Sequence, residues 1–534
     1  MQNMQQTSTQ SFGKLRNFFW PIHRYELKKL VPMFALFFLI SFVYNLMRAF
    51  KVSLIVTAEQ SGVEVIPFLK IGAVLPGALL LTYIFTKLIN RYSREQVFYT
   101  ILISFLSYFA LFLFVLYPNN KFLQFDSGAN FLRDYVLTAE GLGGLVALVR
   151  HWNLTLFYVL SEMWSVVVLS MLFWGFANEV TKVNEAKRFY AIFALGANGS
   201  GILSGLFARF VESLPYFPGL PYDQEHQWMF HQLLSVLIVG SMIICLFYWL
   251  NKSVFHLENV ASLQIPKKNS NISLKECFSY LARSRYLAYI VIIVVSYNIV
   301  YNLADVMWTY KVEQTYKNSM DLNAYMNRVA SITGLVAVTF AFVLSGNVIR
   351  YYGWTLTALI TPIIWLLTSL GFFSGLVFEN VVVDMLSTVV SNPANLILLL
   401  GSIQICFGRG CKYTVFDETK EIAFIPLSKE NQRKGKAVVD GLASRFGKSG
   451  GSLIYIVLLV FCGEIAKTIP YVSILILVCI GFWIYAVFGL GKMVSKSIDL
   501  EHHEIVEDDK PGVTSTTNSS KQPPSVPVHA TSMA

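Results

Sequence analysis

Arg48 and Lys51 stand three residues apart in LMRAFKVSLIVT (Leu46–Thr57), with nearly unbroken apolar sequence from Leu30 to Met47 before them and Leu54-Ile55-Val56 after. Burying each such cation in hydrocarbon costs at least about 2.5–3.5 kcal/mol. The i, i+3 spacing puts both on one face of a helix, as expected for a water-filled cavity that holds an anion. Lys and Arg take phosphate oxygens through charge-assisted hydrogen bonds, Arg bidentately and Lys as a point charge. Snorkelling to a membrane interface is the plainer alternative. The apolar sequence continuing past Lys51 argues against it, and so does the rarity of cations on the outer side of a membrane.

Other charges interrupt apolar stretches in the same way. Glu162 lies in VLSEMWSVVV, at a depth from which a short carboxylate cannot snorkel, so it either handles substrate or protons or forms a structural ion pair. Asp305 in YNLADVMWTYK closes a predicted helix and could be interfacial. The stretch GRGCKYTVFDETKEIAFIPL carries Arg409, Lys412, Asp417, Lys420 and Glu421, and SRFGKSGG carries Arg445 and Lys448, again at i, i+3. An interfacial position accounts easily for Lys420 and less well for Lys412 and Lys448. Cations outnumber carboxylates among these positions, which fits a ligand with several negative charges better than a sugar or a neutral amino acid. Phe50, Trp164, Trp174, Trp308 and Tyr413 are near enough in sequence to stack a base, although packing is the commoner use of such rings.

The elements that must position these charges are membrane helices. Hydrophobic residues make up 55% of the 534 and charged residues 14%, where a soluble domain carries about 25% charged residues. Apolar runs of helix-spanning length recur along the chain, which predicts an all-α polytopic membrane protein. Twelve spans are expected, near 31–57, 66–89, 97–117, 153–177, 189–210, 231–251, 286–309, 329–349, 354–378, 393–418, 436–463 and 470–492. The organisation expected is a segment 1–30, a six-helix half 31–251, a central loop 252–285, a second half 286–492 and a disordered tail 493–534. Lys and Arg cluster before the first span, after the second and in the central loop, which places both termini on the cytoplasmic side. KRFYAIFALGANGSG (Lys187–Gly201) aligns without a gap to KAVVDGLASRFGKSG (Lys436–Gly450), so the halves look duplicated. Two such halves around a midplane site describe a major-facilitator-like secondary transporter.

Several chemistries find no support. The net charge of +10 is explained by cytoplasmic loops, so nucleic acid is not an expected partner. The six cysteines show no CxxC and no His partners, and neither a metal nor a cofactor is expected. GKSGG at 447–451 lacks the glycine spacing and the preceding strand of a phosphate-binding loop. With no Ser/His/Asp or Cys/His arrangement in view, an enzyme is not expected, and no obligate protein partner is evident.

Several longer stretches carry a resemblance. FGKLRNFFWPIH (Phe12–His23), LSEMWSVVVLSMLFWGFANEVTKVNEAKRFYA (160–191), KYTVFDETKEIAFIPL (412–427) and KGKAVVDGLASRFGKSGGSL (434–453) resemble the nucleotide transporters, or ATP/ADP translocases, of obligate intracellular bacteria and plastids. The resemblance implies twelve helices and nucleotide transport across the bacterial cytoplasmic membrane, usually host ATP against bacterial ADP and phosphate. It also implies roles for a lysine in helix 1, a glutamate in helix 4, a glutamate in helix 7 and a late lysine. Lys51 and Glu162 match the first two, Asp305 takes the third position, and either Lys420 or Lys448 takes the fourth. Where the family reads RDTKDTL this chain reads RAFKVSL, with Ala49 and Val52 in place of aspartates, and Met307 and Thr309 replace the Thr and Lys of the helix 7 motif. These departures point to a variant in substrate or coupling. A proton-coupled nucleoside triphosphate importer and an exchanger of NAD for ADP are the alternatives, and a carrier of other phosphorylated anions is a remoter one. Protons or phosphate are the co-substrates to consider.

Overall fold

The computed structural model describes residues 22–181, 183–220, 222–255, 284–343, 347–387, 392–436, 439 and 443–508. Apolar stretches of spanning length satisfy their backbone in hydrocarbon by helix formation, because every N–H and C=O then bonds within its own segment. Among the described residues the long helices are α1 (Leu27–Val56), α2 (Val65–Arg91), α3 (Arg94–Leu116), α4 (Trp152–Val180), α5 (Val183–Glu212), α6 (Gln224–Ser253), α7 (Arg285–Thr315), α8 (Ser319–Val343), α9 (Asn347–Val377), α10 (Pro393–Ala423), α11 (Ser444–Cys462) and α12 (Ile465–Asp508). Eleven are long and apolar enough to cross a membrane. The other, α8, opens with Asp321, Asn323, Asn327 and Arg328.

Local sequence sets several helix ends. Ser93 and Gln96 exchange side-chain and backbone hydrogen bonds at the start of α3, a capping box. The Asp223 carboxylate accepts from the His226 N–H at 2.8 Å to start α6. Gly463, at φ +82°, ends α11 in a conformation that an L side chain rarely adopts.

Several helices run longer than their hydropathy predicts, α12 among them, and two of the extensions bear on the site and the seam between the halves. The helix expected over 286–309 continues to Thr315, so Asp305 lies inside it and not at its end. The continuation holds because Trp308, Thr309, Lys311 and Val312 are all buried in the bundle. The helix expected from 329 begins at Ser319, because its polar first turns bury Asn323 and Asn327 against neighbouring helices. Residues 1–21, 256–283 and 509–534, which take in Lys14 and Arg16, most of the expected central loop and most of the expected tail, lie outside the described residues.

Within the first half α1 packs against α4, α5 and α6, and within the second α7 packs against α10, α11 and α12. The halves meet through α5 on α8, α1 on α8, and residues 65–74 of α2 on α11. The α5–α8 contact depends on Gly205, where a Cβ would overlap the Ser331 side chain and lie 2.7 Å from the Asn327 carbonyl oxygen. Small residues of this kind let membrane helices approach closely.

The two ends of the bundle differ. Where α1 ends and α7 ends, contacts cross between the halves: the Val63 N–H donates to Glu313 at 3.3 Å, Ser319 bonds Glu225, and Gly141 sits against the backbone of Leu459. Where α1 begins, the ion pairs among described residues stay inside one half, as in Lys29–Glu185 at 2.8 Å, Glu26–Arg188 and Lys436–Glu421. The halves are therefore closed against each other at the end away from the start of α1.

Candidate functional site

Most of the charges singled out along the sequence, joined by Lys70, converge midway along the bundle, on α1, α2, α4, α7, α10 and α11. Three of these helices widen from α to π geometry beside a charge. Leu69–Val74 in α2 contains Lys70, Trp164–Phe173 in α4 follows Glu162, and Lys412–Phe416 in α10 begins at Lys412. A π turn shifts side-chain register and recurs at functional sites.

Lys51 is 3% exposed and pairs with Glu162, whose side chain is 35% exposed. Its ammonium also lies 5.0 Å from the centroid of the Tyr158 ring. Lys51 thus reaches Glu162 from one side while the other side of that carboxylate stays open. Lys70 and Lys448 act electrostatically on Glu162 as well, which brings α2 and α11 to the same place.

The second half presents a matching group. Arg409 donates from Nη2 to Asp305 Oδ1 at 2.7 Å and from Nε to the Tyr301 hydroxyl at 2.8 Å. Tyr301 in turn donates to Asp305 Oδ1 at 3.4 Å. From the first half, Arg48 donates to the same Tyr301 oxygen at 2.9 Å, and the Lys70 ammonium lies 4.0 Å from Asp305 Oδ2. Asn302, one residue beyond Tyr301, accepts from Lys70 at 3.5 Å and donates to the Lys448 carbonyl at 2.8 Å. Arg48, Lys51, Lys70, Arg409 and Lys448 are five cations against the two carboxylates Glu162 and Asp305, a surplus of three among the described residues. Lys51 and Arg409 are buried and Lys448 is exposed, and a surplus of cations at such a partly buried site favours a polyanion.

Arg48, Lys51, Glu162, Asp305 and Lys448 are brought together. Arg48 and Lys51 share a helix face but take partners in different halves. Lys412 lies beside this group and is neutralised locally by Asp417 at 3.0 Å. Arg445, one turn before Lys448 and exposed like it, shows no contact with the cluster among the described ones. Lys420 stands elsewhere: it lines a narrow crevice between α7, α9 and α12 with Ile290, Trp354 and Trp483, and pairs with Glu421 at 3.3 Å. The sequence reading missed Lys70, a lone lysine in VIPFLKIGAV that carries the same signal as Lys51, and it gave Tyr301 no role. Arg409, noted only as one charge of its stretch, takes the position in the cluster next to Asp305.

Of the aromatic residues considered for stacking, Phe50, Trp164 and Trp308 are at most 1% exposed and serve as packing. Trp174 packs among Phe37, Phe173 and Tyr190. Tyr413, in contrast, is 49% exposed and sits beside Lys412. Lys448 belongs to the helical interior of α11, so GKSGG forms no phosphate-binding loop. No group of three His, Cys, Asp or Glu side chains suited to a metal ion occurs among the described residues.

A separate cavity of about 700 Å³ lies at the closed end, lined in part by Glu64, Arg133, Glu140, Arg150 and Glu464. There the guanidinium of Arg150 is held by Gln60 and Asn130, and His151 bonds the Glu59 carbonyl through Nε2 at 2.7 Å. Burial pushes the His151 imidazole below its ordinary pKa.

Comparison with known proteins shows similarity along nearly the whole chain. The family described as TLC ATP/ADP transporter matches residues 5–494. ADP,ATP carrier protein 1 of Chlamydia pneumoniae is 39% identical over 511 residues, covering 95% of this chain and 99% of its own length. ADP,ATP carrier protein 1 of Chlamydia trachomatis serovar D is 39% identical over 507 residues, covering 94% and 96%. Among solved structures, a D-xylose–proton symporter matches with a TM-score of 0.50 at 14% identity, covering 86% of this chain and 97% of that one. This last likeness concerns the fold alone, which is major-facilitator-like.

Proposed function

The chain belongs to the TLC ATP/ADP transporter family, and we propose that it exchanges ATP against ADP across a bacterial cytoplasmic membrane, with both termini on the cytoplasmic side. The observation that carries this reading is the surplus of cations where the two halves meet, on Arg48, Lys51, Lys70, Arg409 and Lys448. The phosphate chain of the nucleotide fills that surplus. Arg48 and Arg409 grip phosphate oxygens through paired N–H donors, while Lys51, Lys70 and Lys448 supply point charges. Tyr413, exposed beside Lys412, offers its ring to the base.

Transport follows from rocking of one half against the other about the loaded site. In the conformation described, the halves are closed at the end away from the start of α1, and substrate reaches the site from the end that holds the start of α1. The Lys and Arg residues of the connections support placing that open end in the cytoplasm. An empty site leaves the cations without counter-charge as the halves separate and re-form, whereas a bound phosphate chain lowers that barrier for either nucleotide. Exchange is the result. ATP carries one phosphate more than ADP, so phosphate travelling with ADP would balance the swap. The 39% identity to ADP,ATP carriers, despite Ala49 and Val52, favours this reading over proton-coupled import and over NAD exchange.

Uptake of labelled ATP into cells that express the protein, with unlabelled ATP, ADP, GTP, CTP, UTP, NAD and glucose 6-phosphate as competitors, tests it. ATP and ADP should compete most strongly. Stronger competition by the sugar phosphate or by NAD would overturn the assignment.

A further inference from the structure

Tyr301 does more than line the site. Its hydroxyl oxygen takes Arg48 of the first half at 2.9 Å and Arg409 of the second at 2.8 Å, while its proton points to Asp305 at 3.4 Å. A phenol oxygen offers two lone pairs and one O–H, and here all three are engaged. The ring is held in place by Tyr297, stacked at 6.1 Å, and by the edge of Trp365 at 6.4 Å, both of them buried. Arg409 also stacks on this ring, its guanidinium carbon 5.1 Å from the centroid. Among the described contacts of Arg48, the Tyr301 oxygen is the partner in the opposite half.

Two guanidinium groups aimed at one oxygen match the arrangement they would make on a phosphate. We propose that the Tyr301 hydroxyl is a built-in phosphate surrogate: in the empty carrier it occupies Arg48 and Arg409, ties α1 to α7 and α10 across the two halves, and so prevents return without substrate. This inference rests on the exchange reading and names the residue that enforces it. An arriving phosphate displaces the hydroxyl from both guanidinium groups and releases the tie. The freed Tyr301 hydroxyl keeps Asp305 as its acceptor, so the displacement needs no change in net charge on the protein. Tyr301 acts as a positioning residue: it sets the empty state and is absent from the contacts of the loaded one.

The variant Tyr301→Phe keeps the ring and its packing and removes only the oxygen. In proteoliposomes, labelled ADP uptake would be measured into vesicles preloaded with ADP and into empty vesicles. For Tyr301→Phe the ratio of empty-vesicle to exchange uptake should rise by about tenfold over wild type, the order expected from losing a hydrogen bond to a charged group. The second measurement is thermal unfolding of purified protein with and without ADP. The stabilisation by ADP should grow in Tyr301→Phe, because only the empty state loses a bond. A smaller ADP stabilisation, or an unchanged uptake ratio, overturns the surrogate role even if transport is weak. Wild-type protein that fails to exchange ADP at all would overturn the exchange reading itself, so the two failures are distinct.

Discussion

Lys51 on α1 and Glu162 on α4, 111 positions apart in the chain, form an ion pair in the first half of the bundle. The lysine is almost fully buried and the carboxylate is one-third exposed, so the pair has an inner and an outer member. A phosphate approaching from the open side meets Lys51 only by competing with Glu162. The pair is therefore both a structural tie and a component of the site.

Removing Glu162 leaves the buried Lys51 ammonium without its partner, which costs about 3–5 kcal/mol, and removing Lys51 costs less because Glu162 is one-third exposed. Lys51→Gln and Glu162→Gln should each lower transport by at least tenfold and reduce thermal stability. The double variant should recover stability and not transport. Full recovery of uptake by the double variant would show that the pair is only structural. Membrane abundance and nucleotide uptake, measured on the three variants, separate these outcomes.

Lys448 and Lys420 are separated by their surroundings. Lys448 acts on Glu162 from α11, whereas Lys420 lines the crevice beside Trp354 and Trp483. Lys448→Gln should raise the KM for ATP by about tenfold, the worth of one charge-assisted phosphate contact. Lys420→Gln should stay within about threefold of wild type, as expected for an ion pair with a partly exposed partner. Kinetics of the two variants side by side decide the matter.

Lys70 touches both Asp305 and Asn302 across the interface between the halves. Lys70→Gln should weaken ATP more than ADP, since the nucleotide with the longer phosphate chain makes more use of an added cation. Inhibition of labelled-ADP exchange by unlabelled ATP and ADP gives the comparison, and an equal loss for both would assign Lys70 to structure.

The α5–α8 contact leaves no room for a side chain at Gly205. Gly205→Leu forces the helices apart, with an overpacking cost of about 1–3 kcal/mol or more. Lower thermal stability and a loss of transport exceeding the loss of protein are expected, because these two helices must move against each other during rocking.

His151 sits outside the spanning segments, donating from Nε2 to the Glu59 carbonyl. Because burial lowers its pKa in the folded state below the ordinary 6.5, the unfolded chain binds the extra proton first. Its contribution to stability is complete above about pH 6.5 and is lost as pH falls below that value. The unfolding temperature of wild type should drop between about pH 7 and pH 5, and His151→Gln should flatten that drop. A parallel pH profile for the variant would place the titrating group elsewhere.

Much of this site is legible along the sequence, because a charge inside an apolar run is visible without a structure. Lys51 and Glu162 stand out on that ground alone, and Lys70 carries the same signal unread. Partners are not legible in this way. Nothing in the spacing of Arg48 and Lys51 tells that one reaches Tyr301 in the opposite half and the other Glu162 in its own. Asp305 looked interfacial because hydropathy falls after it, yet the helix continues on side chains buried by the bundle and not by lipid. Lys420 and Lys448 are alike as sequence, and only the packing of α9 and α12 around Lys420 distinguishes them. The polar start of α8, before the span expected from 329, escapes hydropathy for the same reason: Asn323 and Asn327 are buried against other helices.

The central claim is exchange through a cationic site, and its most direct measurement is labelled ATP uptake by purified protein in proteoliposomes preloaded with ADP or left empty. Uptake should require internal ADP, release ADP in step with ATP entry, and be indifferent to a protonophore. Uptake into empty vesicles that collapses when the protonophore is added would contradict exchange and make the protein a proton-driven importer.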